Sequence, residues 1–362
     1  MRKNYTIYAS IIFLITTLIL SGCSSRSEGF LEKANSSMAN KQYTKALNYY
    51  SSAINSDKSN TDAITGKAYA FIMLKRYPEA VSCAESAIKQ NKNLGKAYAY
   101  KGIALSGQGN YIDALKYLDK AIELKFKDSK TLNERGYDLI KIGRSDLAVD
   151  PLTEAIKINP KYYDAYLNKA SALVNTKNYT DAKSCLDEAL KLSTNKTDFY
   201  NKEGLLFQSA GLYDDAKACL DKAISLSPKN AVLYYNKGLV LTDSNNYTEA
   251  IDLFNKAISL NSKYSNAYDA KGLALRSLNK LDDAVKEFDN AIKYNSYNSA
   301  AYNDKACVLA DKGKLEDALK SINKAIEINP QSKDFYTNKS FILKRMGKTK
   351  EAEEFQKKAN AL

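Results

Sequence analysis

The chain has 362 residues, a hydrophobic content of 44%, a formal net charge of +13 and neither histidine nor tryptophan. Without histidine there is no Ser-His-Asp or Cys-His nucleophile and no histidine-ligated metal, and no phosphate-binding glycine loop occurs, so neither an enzyme nor a cofactor-dependent protein is expected. The basic excess favours anionic partners, but it is spread along the chain rather than gathered in blocks, which gives little support to nucleic-acid binding.

In chain order, Arg2 and Lys3 precede an apolar run from Ile11 to Leu20, and Leu20-Ser21-Gly22-Cys23 follows. A basic start, an apolar stretch and small residues at its end describe an export signal. The tetrapeptide resembles the bacterial lipobox. That resemblance implies that residues 1–22 are removed and that Cys23 becomes a lipidated N-terminus carrying fatty acyl chains such as palmitate. A transmembrane anchor is the alternative, although the run is slightly short for a span. Residues 23–26 then form the lipidated cysteine and a short linker. The expected location is the extracytoplasmic side of the cell membrane, held by lipid. Removal of Arg2 and Lys3 leaves a charge of +11.

From residue 27 to 362 the chain repeats every 34 residues. Alanine recurs from Ala46 to Ala352 and again, seven residues later, from Ala53 to Ala359. Ten units result, starting near 27, 61, 95, 129, 163, 197, 231, 265, 299 and 333. A fixed period in this range marks a solenoid whose units bury their apolar faces only by stacking on neighbours.

Within a unit, position 4 is usually aromatic, position 8 always small and position 11 mostly Leu or Phe. This pattern is one stripe of a helix. Positions 17 to 30 predict a second helix, with Ala at positions 20 and 27. Glycines at position 15, such as Gly109 and Gly143, mark the turn between the helices. Pro160, Pro228 and Pro330 at position 32 end the second one. Pro151 falls inside the second helix of the fourth unit, where a kink or a delayed start is expected. In the last unit Glu353, Gln356 and Asn360 stand where other units have aliphatics, a polar face suited to the end of an array.

This helix–turn–helix pattern resembles the tetratricopeptide repeat, over residues 27 to 362 and without an insertion. The resemblance implies an all-α, right-handed superhelical solenoid of about ten repeats in one continuous array. One departure is systematic: position 7, a leucine in the family pattern, is basic in nine units, for example Lys101, Arg135, Lys237, Lys271 and Lys305. Either the stems pack as leucine would, or the stripe is functional.

The resemblance also implies that positions 2, 5, 6, 9, 12 and 13 of the first helices face a concave surface that binds partners. Read off there, Tyr69, Ile72, Met73, Tyr100, Ile103, Tyr137 and Ile140 form an apolar, aromatic stretch. Asn133, Asn168, Asn201 and Asn236, followed by Asn303 and Asn338, form a run of amides able to bond a peptide backbone. The lysine that clamps acidic tails in some family members is missing from position 5.

Cys83, Cys185, Cys219 and Cys307 read as small apolar side chains. Asp214-Asp215 and Asp282-Asp283 fall in first turns of second helices, where carboxylates suit the dipole. The expected function is a membrane-anchored scaffold for protein or peptide partners. An assembly factor for a cell-envelope or pilus machine and a binder of anionic envelope polymer are the alternatives.

Overall fold

The computed structural model describes residues 25–362; segment 1–22 and Cys23 lie outside the described residues. Twenty helices and no strand are found among the described residues. The first five repeats are α1 (25–39) with α2 (Tyr43–Ser56), α3 (Thr61–Met73) with α4 (Tyr77–Gln90), α5 (Gly95–Gly107) with α6 (Tyr111–Glu123), α7 (Ser129–Lys141) with α8 (Ser145–Ile158), and α9 (Tyr163–Asn175) with α10 (Tyr179–Leu192). The second five are α11 (Lys196–Ser209) with α12 (Tyr213–Leu226), α13 (Ala231–Asp243) with α14 (Tyr247–Leu260), α15 (Ser265–Ser277) with α16 (Leu281–Tyr294), α17 (Ser299–Asp311) with α18 (Leu315–Ile328), and α19 (Lys333–Arg345) with α20 (Thr349–Ala361). Odd-numbered helices are first helices and even-numbered ones second helices. Among the described residues no helix is long and apolar enough to cross a membrane. Helix α1 already includes Ser25 and Arg26, which the sequence reading placed in the linker.

All twenty alanines of the two series have zero exposure. They sit where second helices approach their neighbours, and no larger side chain fits there. The small residue at position 8 has an equally direct cause. A Cβ on Gly102, Gly136, Gly204, Gly238 or Gly272 would lie 2.4–2.9 Å from the side chain at position 24 of the same repeat, Leu118, Leu152, Leu220, Phe254 or Phe288. In these five repeats the large side chain at 24 lies where a Cβ at position 8 would stand, while Ala34, Ala170 and Ala306 show that alanine is accommodated opposite Tyr50, Leu186 and Ile322.

Position 15 has positive φ in all ten units: glycine in five, Lys41, Lys75, Lys177, Asn245 and Asn279 in the others. Each closes its first helix with the paired backbone bonds of a left-handed C-cap, such as Lys177 N to Val174 O at 2.9 Å and Asn178 N to Leu173 O at 2.8 Å.

Five of the nine basic residues at position 7 are held by acids. Lys101, Arg135, Lys237 and Lys305 each pair with a carboxylate sixteen residues earlier, Glu85, Asp119, Asp221 and Asp289, at 2.5–2.8 Å. Lys271 pairs with Glu287 of its own repeat at 2.8 Å. The stem packs as leucine would, and the ammonium is held by an acid.

Pro151 lies within α8, which starts at repeat position 17 as its neighbours do, so the expected delay is absent. In α20, Glu353 and Asn360 are exposed, as a terminal face requires. The four described cysteines are free thiols.

The chain has two compact units, the first ending at Leu192 and the second running Ser193–Leu362. Lys196 occupies position 34, where Asn60, Asp128, Asn230 and Asn298 cap the next helix, and cannot accept a bond there. The cap moves back to Asn195, which accepts from Asp198 N, and α11 starts one residue early.

Candidate partner-binding groove

In the first unit the first helices α3, α5, α7 and α9 bring the expected apolar residues together at two depths. Ile72, Tyr100 and Ile103 are 7%, 9% and 4% exposed and belong to the floor. Tyr69 is half-buried and stacks on Tyr100 with ring centroids 5.1 Å apart. Above them, the Lys130 ammonium lies 4.5 Å from the Tyr69 ring centroid and 3.8 Å from Met73 Sδ. Tyr137 meets Tyr111 edge-on at 6.1 Å, and Ile140 is half-buried beside this pair.

A cavity of about 590 Å³ is lined by residues of α4 to α7 and α9. Asn133, Tyr137 and Asn168 line it, whereas Tyr69, Ile72, Met73, Tyr100, Ile103 and Ile140 do not. Tyr77, Ser106, Tyr111, Lys130, Glu134, Tyr162 and Asp164 complete the wall. Asn168 Nδ2 donates to Asn133 Oδ1 at 2.9 Å across adjacent repeats. This bond takes one acceptor of Asn133 and one donor of Asn168, and the remaining capacity of each amide is of the kind a peptide backbone needs.

The carboxyls of this wall are unusual. The Ser106 hydroxyl lies 2.8 Å from Glu134 Oε1 and 2.5 Å from Asp138 Oδ1. One hydroxyl proton cannot serve two carboxylates, so one of the acids carries a proton. Asp138 has zero exposure and its Oδ2 has no partner. Burial pushes its pKa up to about 8, with the Ser106 hydrogen bond opposing and Glu134 adding. Burial also raises Glu134; Ser106 and Lys130 act against the shift and Asp164 reinforces it. Burial, with Tyr111, Glu134 and Asp138, pushes the Tyr137 phenol up to about 12.

The second unit repeats the amide pairing. Asn236 Nδ2 donates to Asn201 Oδ1 at 2.7 Å, and Asn338 Nδ2 to Asn303 Oδ1 at 2.8 Å. Each pair joins position 5 of one repeat to position 6 of the next. At the equivalent pair of positions stand Asp269 and Asp304. Burial and the neighbouring Asp304 push Asp269 up to about 7. Burial raises Asp304 as well, against the Asn303 amide and Arg276.

Ser106, Lys130, Glu134 and Asp164 occupy inward repeat positions (12, 2, 6 and 2), yet a search for apolar and amide groups passed over them. Tyr77 and Tyr111 start second helices at position 17, and Tyr162 precedes α9 at position 34. The inward-position rule does not reach these three; only the packed helix pair shows their rings turned to the cavity.

A tetratricopeptide repeat model matches residues 31–95, 201–265 and 270–333. Two further tetratricopeptide repeat models match residues 322–354 and 163–196. Among solved structures, yeast Tom70 is similar over 93% of this chain and 92% of its own, at 17% identity and a TM-score of 0.53. A tetratricopeptide repeat protein from Parabacteroides merdae is similar over 70% of this chain and 99% of its own, again at 17% identity and a TM-score of 0.53. At that identity the likeness is one of fold. The comparison with curated proteins gave no match.

Proposed function

The chain belongs to the tetratricopeptide repeat family, a repeat scaffold suited to protein or peptide binding, and from that premise we propose that it is anchored to the membrane by Cys23 and holds its partner outside the cytoplasm. The partner docks in the concave groove of the first unit. One observation carries this reading: the cavity walled by Tyr77, Tyr111, Tyr137 and Tyr162 also holds the Asn133–Asn168 amide pair. Aromatic anchors in such settings tend to carry binding energy, and the amides supply backbone recognition. The anchoring rests on Leu20-Ser21-Gly22-Cys23 behind a basic, then apolar, start.

A photo-crosslinking amino acid placed at Tyr137, and in a second protein at Ile112 (64% exposed, on α6), tests both parts in cells fed a fatty-acid analogue. A discrete adduct from position 137 that position 112 does not give, and label that disappears in Cys23→Ala, are expected. The same adducts from both positions would remove the groove assignment. Label persisting in Cys23→Ala would remove the anchor.

A further inference from the structure

We infer that the groove of the first unit receives a basic side chain, arginine or lysine, presented by an extended peptide of the partner. The inference rests on the groove reading above and adds the chemistry of its occupant. It starts from a local reversal of charge: the chain is strongly basic at +13, yet this cavity is acidic. Glu134 and Asp164 line it, with Asp128 close by at the start of α7. Among the lining residues Lys130 is the one cation, and its ammonium is turned to the Tyr69 ring and Met73. The Tyr162 phenol is pushed up by burial first, and then by Asp164, Glu134, Tyr69 and Asp128.

Ring faces supply the second half of the recognition. Tyr77, Tyr111, Tyr137 and Tyr162 wall the cavity, and a cation over a tyrosine face is attracted by the ring quadrupole. The Tyr137 ring already accepts one from within the chain, the Lys141 ammonium 5.1 Å from its centroid. A guanidinium combines both demands, stacking on rings while its edge bonds a carboxylate in two places. Ser106 fixes Glu134 in advance, so the carboxylate is oriented before a ligand arrives. Acidic peptides and anionic polymers are repelled by the same groups.

Short random peptides selected on the full chain in detergent provide the probe, with affinity measured by calorimetry. Selected peptides are expected to share one arginine or lysine. Replacing that arginine by citrulline, or acetylating that lysine, should weaken binding by about tenfold or more, since charge-assisted bonds in a desolvated site are strong. Glu134→Gln with Asp164→Asn should remove the difference between charged and neutral peptides, with an unchanged melting temperature showing that the fold is intact. If neutral and charged peptides bind alike to the natural chain, or if selection returns no binder, the inference is overturned. Peptides that lack a basic residue but lose affinity in Tyr137→Ala would overturn the basic occupant and leave the groove standing. Peptides indifferent to Tyr137→Ala would show docking elsewhere, and the groove reading would fall with the inference.

Discussion

Gly238 faces the Phe254 ring so closely that an added Cβ would stand 2.5 Å from Cε1. Gly238→Ala is therefore expected to destabilise by about 1–3 kcal/mol through overpacking, read as a lowered urea midpoint; an unchanged midpoint would mean the ring moves aside freely. Lys177 poses the opposite case. Its φ of 61° costs a side chain about 1–2 kcal/mol, so Lys177→Gly should raise stability by close to 1 kcal/mol once the entropy of the unfolded glycine is subtracted. Asp138 gives a pH dependence. Its folded pKa, about 8, lies above the ordinary carboxylate value of about 4. Between those values the folded chain holds a proton that the unfolded chain has released, so its contribution is complete below the lower value and is lost as pH rises through the upper one. Asp138→Asn should flatten this decline and be more stable near pH 8, by about 1–3 kcal/mol if an uncompensated buried charge is removed. Equal slopes for the two proteins would place the proton elsewhere. The glycine at position 8 could be read from the sequence, because its spacing against the alanines fixes it on a helix–helix contact. The protonated acid could not: it depends on Ser106, one repeat away in sequence, being brought between two carboxyls.

At the scale of elements, helix limits followed from period and turn residues, and the deviations have local causes. Position 34 caps the next first helix where it is Asn or Asp. Asn298 accepts from Ala301 N, and its amide donates to Ser265, whose hydroxyl donates to Ala291 O. The same relay runs from Asn60 through Ser27 to Ala53 O. It ties the entry of one repeat to the second helix of the repeat before it. Asn298→Ala should cost about 1 kcal/mol or more, because cap and relay are lost together; thermal denaturation with no loss would deny the relay any energetic role. The basic stripe at position 7 resolves at this scale too. Its partly exposed ion pairs give at most about 1 kcal/mol each, and they engage cations that an anionic polymer would otherwise meet. The candidate cavity was partly legible: Asn133, Tyr137 and Asn168 line it, but depth along a helix face is not in the pattern. Ile72, Tyr100 and Ile103 became floor, while second-helix tyrosines joined the wall.

For the whole molecule, the repeat explains why ten weakly amphipathic pairs fold at all: each buries its alanines only against a neighbour. Each compact unit has such contacts within itself. Around Ala46, Tyr50 and Ala80 the first unit holds one buried cluster, and around Phe254, Ala250 and Ala274 the second holds another. Residues 193–362 made alone are therefore expected to be helical and to melt cooperatively; a non-cooperative melt would show that this unit needs the rest of the chain. The central claim is that the first helices of the first unit form the binding surface. Hydrogen–deuterium exchange of the full chain, with and without a selected peptide, tests it most directly. The expected result is added protection along α5, α7 and α9 with little change in α6 and α8. Protection confined to α6 and α8, or to the second unit, would contradict the claim.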